Sequence, residues 1–110
     1  MSYKILTVPP FDKQLKRLAK KYPSIKNDII QLISELQNQP VKGTNIGNNC
    51  FKVRMVITSK GKGKSSGARV ITHFVLKSKS IYMLSIYDKA EQSTISDNEI
   101  HDLLMLIQQN

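Results

Sequence analysis

FKVRMVITSKGKGKSSGARVITHFVLKSKSIYMLSIY, residues 51–87, is the stretch that decides the fold. Its first part alternates: Phe51, Val53, Met55 and Ile57 stand between Lys52, Arg54, Val56 and Thr58. A period of two marks a strand with one apolar face, and the other face here opens with two cations. Ala68 to Leu76 and Ser80 to Tyr87 are rich in the β-branched and aromatic residues that suit strands. Ser59 to Gly67 (SKGKGKSSG) reads as a flexible basic loop, and Lys77-Ser78-Lys79 as a tight turn. Strands joined by such short links are hairpins and run antiparallel.

Upstream, Tyr3 to Val8 reads as a short strand that Pro9-Pro10 ends. A helix follows, with Phe11, Leu15, Leu18, Ala19 and Tyr22 at helical spacing and Lys13, Lys16, Arg17 and Lys20 on its other face. Pro23 stops it, and Ser24 can cap a second helix with the stripe Ile25, Ile29, Leu32, Ile33 and Leu36. The short link makes the two an antiparallel hairpin. Pro40 closes the second helix, and Gly43 to Asn49 reads as a loop. Downstream, Ser96-Asp97-Asn98-Glu99 fits a capping box ahead of Ile100, Leu103, Leu104 and Ile107. The order strand, two helices, three strands, helix predicts an α+β fold with helices on one face of a small antiparallel-rich sheet. Lys52 and Arg54 would lie on the free face.

The 110 residues suit one domain, 1–110, and the mix of 40% hydrophobic and 23% charged residues is that of a folded chain. One cysteine, Cys50, excludes a disulfide framework, and two distant histidines make a structural metal site improbable. No apolar run approaches the roughly 20 residues of a membrane span, so the expectation is a soluble cytoplasmic protein without a membrane partner. The charge is more telling: 17 Lys+Arg against 8 Asp+Glu gives +9. No acid lies between Glu35 and Asp88, a stretch that holds Lys52, Arg54, Lys60, Lys62, Lys64, Arg69 and further lysines. A solvated surface interleaves the two signs; this segregation points to phosphate contacts or to an acidic protein partner.

Several motifs together resemble the RelE/ParE superfamily of type II toxin–antitoxin toxins. They are FDKQLKRLAKKYP (Phe11 to Pro23), the turn at Gln39-Pro40 and Gly43, FKVR (Phe51 to Arg54), GKGKSSGARVI (Gly61 to Ile71) and IYMLSIYDKAE (Ile81 to Glu91). The basic glycine loop running into a strand is most similar to HigB-like members of the RelE branch. The resemblance implies a RelE-like microbial RNase fold and an antitoxin partner; no cofactor is expected. For the RelE branch it implies cleavage of mRNA on the ribosome; for the ParE branch, inhibition of DNA gyrase. A third alternative is a catalytically weak relative that binds RNA or protein.

Metal-free RNA cleavage must deprotonate the 2′-hydroxyl, stabilise the phosphorane and protonate the leaving oxygen. By resemblance, Lys52 and Arg54 match two basic strand positions of the site, Arg69 the arginine that holds the scissile phosphate, and Lys89 a position where the family usually has arginine. A planar guanidinium donates two hydrogen bonds to a phosphate and stays charged. A lysine base needs neighbouring cations: one at about 7 Å, with an effective dielectric near 20, opposes its protonation by about 2.4 kcal/mol. The family's late aromatic falls near Ile95, which has no ring; Tyr87, beside Lys89, can stack on a base or orient the 2′-hydroxyl, or else be a core or rim tyrosine. His73 follows Arg69 by four, so both point to one sheet face; it either lines the site or is a half-buried strand residue. Lys60, Lys62 and Lys64 alternate with glycine in a loop able to follow ribosomal RNA, which is not a P-loop because GxxxxGK[ST] is absent.

Overall fold

The computed structural model describes residues 2–61, 63 and 66–107. One sheet holds β1 (Lys4–Thr7), β2 (Thr44–Gly47), β3 (Cys50–Met55), β4 (Ala68–Val75) and β5 (Ser80–Asp88), in the spatial order β1-β5-β4-β3-β2. β1 runs parallel to β5, and the other neighbours are antiparallel. The helices are α1 (Pro9–Lys21), α2 (Ile25–Asn38) and α3 (Asp97–Ile107).

Local sequence explains the helix ends. Prolines open α1, where a missing N–H costs nothing, and Lys20 and Lys21 close it against the negative end of its dipole. Ser96 and Glu99 form the expected capping box: the Glu99 amide donates to Ser96 Oγ at 3.1 Å, and the Ser96 amide donates to Glu99 Oε1 at 3.3 Å. Ser24 precedes α2 but does not cap it with its side chain. Its hydroxyl donates to Asp28 at 2.8 Å and accepts from the Ser59 amide, also at 2.8 Å. It therefore ties the helix start to the short 3-10 turn at Thr58–Lys60.

Register assigns the faces. Val53 and Met55 oppose Val70 and Ala68, which in turn oppose Ile86 and Asp88. This face forms the main core under α1 and α2, with Leu18, Ile25 and Leu36 fully buried. Truncating any of these to alanine should cost about 2–5 kcal/mol. The other face is not free, contrary to the one-sided layer expected from the element order. The α3 segment lies on it, with Ile95 and Ile100 beside Lys52, and Leu104 and Ile107 beside His73. The reason is that buried Cys50 and Ile71 share that face with the cations, so it is too apolar to be left to water.

The expected loop Gly43 to Asn49 also contains a strand. β2 pairs with β3 through Thr44↔Lys52, Asn45↔Phe51 and Gly47↔Cys50. Asn48 and Asn49, at φ 54° and 57°, make the two-residue turn with left-handed backbone that a tight hairpin needs. In β5, Leu84 has no partner, because Ile71 faces Ser85 and Thr72 faces Met83; this is a bulge.

Candidate functional site

Three strands contribute one cross-strand row: Arg54 on β3, Arg69 on β4 and Tyr87 on β5. The adjoining row is Lys52, Ile71 and Ser85. Directly opposed side chains sit roughly 5 Å apart at their Cβ atoms, and like charges so placed repel. Two arginines in register therefore concentrate positive charge on this row. The fold thus brings Lys52, Arg54, Arg69 and Tyr87 onto one face.

Their environments differ. Arg54 is exposed at the edge where β3 runs past β2, whereas Arg69 is 4% exposed and its Nη1 donates to the Ala68 carbonyl at 3.1 Å. Tyr87 is equally buried, and its hydroxyl has no hydrogen-bond partner among the described residues. Burial pushes the Tyr87 phenol up, the Arg69 guanidinium opposes this, and Glu99 on α3 adds to it. The phenol therefore stays protonated near neutral pH, a donor and not a base. Lys52 is half-buried in a cleft with Ile95, Asp97 and Ile100. Lys89 sits just past β5, where its amide donates to the Gly67 carbonyl at 3.0 Å.

His73 lies on the same face but two rows from the arginines, opposite Cys50 and Tyr82. Four residues of strand separate it from Arg69, about 13 Å. Burial lowers its pKa while the Asn48 and Asn49 carbonyls raise it, leaving it below the ordinary histidine value. Cys50 Sγ is 3.6 Å from His73 Nδ1, and burial pushes that thiol up to about 11, so it is unreactive.

Lys60 turns inward. Its Nζ donates to Asp88 Oδ1 at 2.7 Å and to the Ser66 carbonyl at 2.9 Å, and lies 5.3 Å from the centre of the Tyr22 ring. Asp88 is fully buried and also accepts from Tyr22 Oη at 2.5 Å and from the Ala90 amide at 3.0 Å. Burial pushes the Asp88 carboxyl up, but the Lys60 ammonium, the Tyr22 hydroxyl and the Ala90 amide together hold it below its ordinary value. The sequence reading did not find this network. The available signal was Asp88 itself, the acid that ends the long basic stretch. Lys62 and Lys64 lie outside the described residues.

Among the described residues, no group of three or more His, Cys, Asp and Glu side chains is placed to hold a metal ion, and no helix is long and apolar enough to cross a membrane. The arginine row offers charged forks to a phosphodiester, a lysine at its flank, and a buried phenol that can donate a hydrogen bond.

Solved structures share this architecture. Free E. coli RelE toxin, in a doubly substituted form, superposes with a TM-score of 0.64 at 12% identity, over 96% of this chain and 97% of that one. The RelBE2 toxin–antitoxin complex of Mycobacterium tuberculosis matches at a TM-score of 0.59 and 14% identity, over 80% of this chain and 99% of its own. The intact E. coli RelBE toxin–antitoxin complex matches at a TM-score of 0.51 and 15% identity, over 79% and 96%. The family model described as RelE toxin of the RelE/RelB toxin–antitoxin system spans residues 11–109, nearly the whole fold built above, so the chain belongs to the RelE toxin family.

Proposed function

We propose that this protein is the toxin of a type II toxin–antitoxin system and acts as a ribosome-dependent mRNA endoribonuclease of the HigB-like kind. The observation that carries the reading is the Arg54–Arg69–Tyr87 row with Lys52 in the adjoining row. In the proposed reaction the 2′-oxygen attacks phosphorus and its proton passes to a base. The bond from phosphorus to the 5′-oxygen breaks, and that oxygen takes a proton. The products are a 2′,3′-cyclic phosphate and a 5′-hydroxyl. Arg54 and Arg69 stabilise the charge that builds on the phosphorane. Lys52 and Lys89 supply further contacts and the proton-transfer candidates, since arginine is a poor acid or base near neutrality. Tyr87, as a phenol, orients the 2′-hydroxyl. Ribosomal RNA is held by Lys62 and Lys64, with Lys60 fixing the base of their loop; His73 adds a contact at the far end of the face.

The partner is an antitoxin, as in the toxin–antitoxin complexes among the similar structures; the segregated basic charge of this chain calls for an acidic segment where the antitoxin crosses the basic face. Ribosome dependence places the protein in the cytoplasm. The catalytically weak, RNA-binding alternative has one observation in its favour: buried Ile95 stands beside Lys52, where an aromatic residue would otherwise contribute. The test is primer extension on mRNA bound to programmed ribosomes. A new cut within the A-site codon, absent with Arg69→Ala, supports the nuclease reading. Intact mRNA at high protein concentration rejects it, and a supercoiling assay then examines the gyrase alternative.

A further inference from the structure

The helix hairpin carries a second basic surface that the arginine row does not use. Lys16 and Lys20 on α1 and Lys26 on α2 line an open groove whose floor is Ala19 and Pro23. All three lysines are exposed. None makes a salt bridge or hydrogen bond among the described residues, whereas the next two cations of α1 do: Arg17 and Lys21 both bind Glu91, at 2.8 and 2.9 Å. The helix therefore has one neutralised cation pair and, one residue earlier in each turn, a pair left open. Lys16 and Lys20 are four apart, so they stack on one helix face about 6 Å from each other. The groove lies on the helical side of the sheet, away from Arg54 and Arg69, because α1 ends against Asp88 on the face opposite Tyr87.

We infer that this groove binds the phosphate backbone of duplex RNA. Three features select that occupant. A protein interface would be anchored by aromatic, arginine or large apolar side chains and would be poor in lysine; this groove has only lysines over alanine and proline. A single-stranded RNA would be held by stacking on aromatic rings, and none lines the groove. A-form duplexes are gripped through phosphates and shape without base readout, which is what flexible, exposed ammonium groups provide. The toxin would then hold RNA on two sides, the strand to be cut on the arginine face and structured RNA on the hairpin. The choice of RNA over DNA rests on the proposed ribosomal function; the phosphate-binding groove does not.

The experiment uses the full-length protein, a K16Q/K20Q/K26Q variant and a charge-preserving K16R/K20R/K26R variant. Each is titrated with a short blunt RNA duplex, and with a DNA duplex of the same sequence, over a range of salt. Loss of the lysines is expected to weaken RNA binding and to make the plot of log affinity against log salt shallower by about 3, roughly 1 per phosphate contact. The arginine variant should restore both. On programmed ribosomes the glutamine variant should raise KM for mRNA cleavage with kcat little changed. RNA binding and salt slope equal to those of the unaltered protein would overturn the inference. So would unchanged RNA binding with lost binding of the antitoxin, or a clear preference for the DNA duplex. If the unaltered protein binds duplex RNA through these lysines but never cuts mRNA, the groove stands and the nuclease reading falls.

Discussion

Tyr87 and Asp88 are neighbours in sequence and stand on opposite faces of the same strand end. Both are buried, and each lies beside cations. Asp88 accepts hydrogen bonds from Lys60, Tyr22 and Ala90, a set that satisfies its charge. Tyr87 has a hydroxyl with no partner among the described residues and stands opposite Arg69, which in turn opposes Arg54. One face thus meets its polar groups internally and holds the fold together. The other sets two arginines in register beside a buried phenol that has no hydrogen-bond partner among the described residues, an arrangement suited to an anion. A basic residue's role in this molecule follows from which face its strand position selects.

The contrast can be broken most severely at Asp88. Asp88→Ala strands the Lys60 ammonium, whose side chain is only 14% exposed, and should cost about 3–5 kcal/mol in denaturant unfolding. A loss below about 1 kcal/mol would mean that the pair is solvated. Arg69→Ala is expected to lower ribosome-dependent cleavage by about 10²–10³-fold, as the removal of one donor to a transition-state oxyanion does. Measuring unfolding in parallel separates loss of chemistry from loss of fold.

Tyr87→Phe sharpens the comparison further. The lost hydroxyl has no partner among the described residues, so stability should hold or rise by up to about 1 kcal/mol, while cleavage falls. A marked loss of stability would place Tyr87 with Asp88 among the structural groups.

Acid should act on the Asp88 side alone. Because the folded protein holds that carboxyl below its ordinary value of 3.8, its contribution is present above that value and is lost as pH falls through the lower folded value. The Tm of the unaltered protein should therefore drop more steeply below about pH 4 than that of Asp88→Asn. Parallel profiles would remove Asp88 as a source of acid sensitivity. The smallest effect is expected for Glu91→Gln, which frees the exposed Arg17 and Lys21 and should change stability by under about 1 kcal/mol.

Much of the architecture was legible because its signals are local. Alternation at Phe51–Ile57, proline at 9, 10 and 23, and the Ser96–Glu99 box each act within a few residues, and each element they imply is present. β2 escaped because only Ile46 in Thr44–Gly47 is a strand-type apolar residue, so no alternation could show. In retrospect Asn48-Asn49 was its clue, since asparagine tolerates the left-handed backbone of a hairpin turn. Ser24 had the right chemistry for a cap, but Asp28 and Ser59 compete for its hydroxyl, and neither competition is visible in a linear pattern.

By itself, the sequence determined the number and kind of most elements, the segregation of basic charge, and the shared face of Arg69 and His73, because periodicity is a property of the chain alone. The tertiary structure decided which cations work together. Arg54, Arg69 and Tyr87 meet only through strand register, and α3 covers part of their face because that face also carries apolar residues that must leave water. The same holds for Lys60, which sequence places in a basic loop and the fold places against Asp88, 28 residues away. Coulomb attraction acts through space, and space is assigned only when the chain has folded.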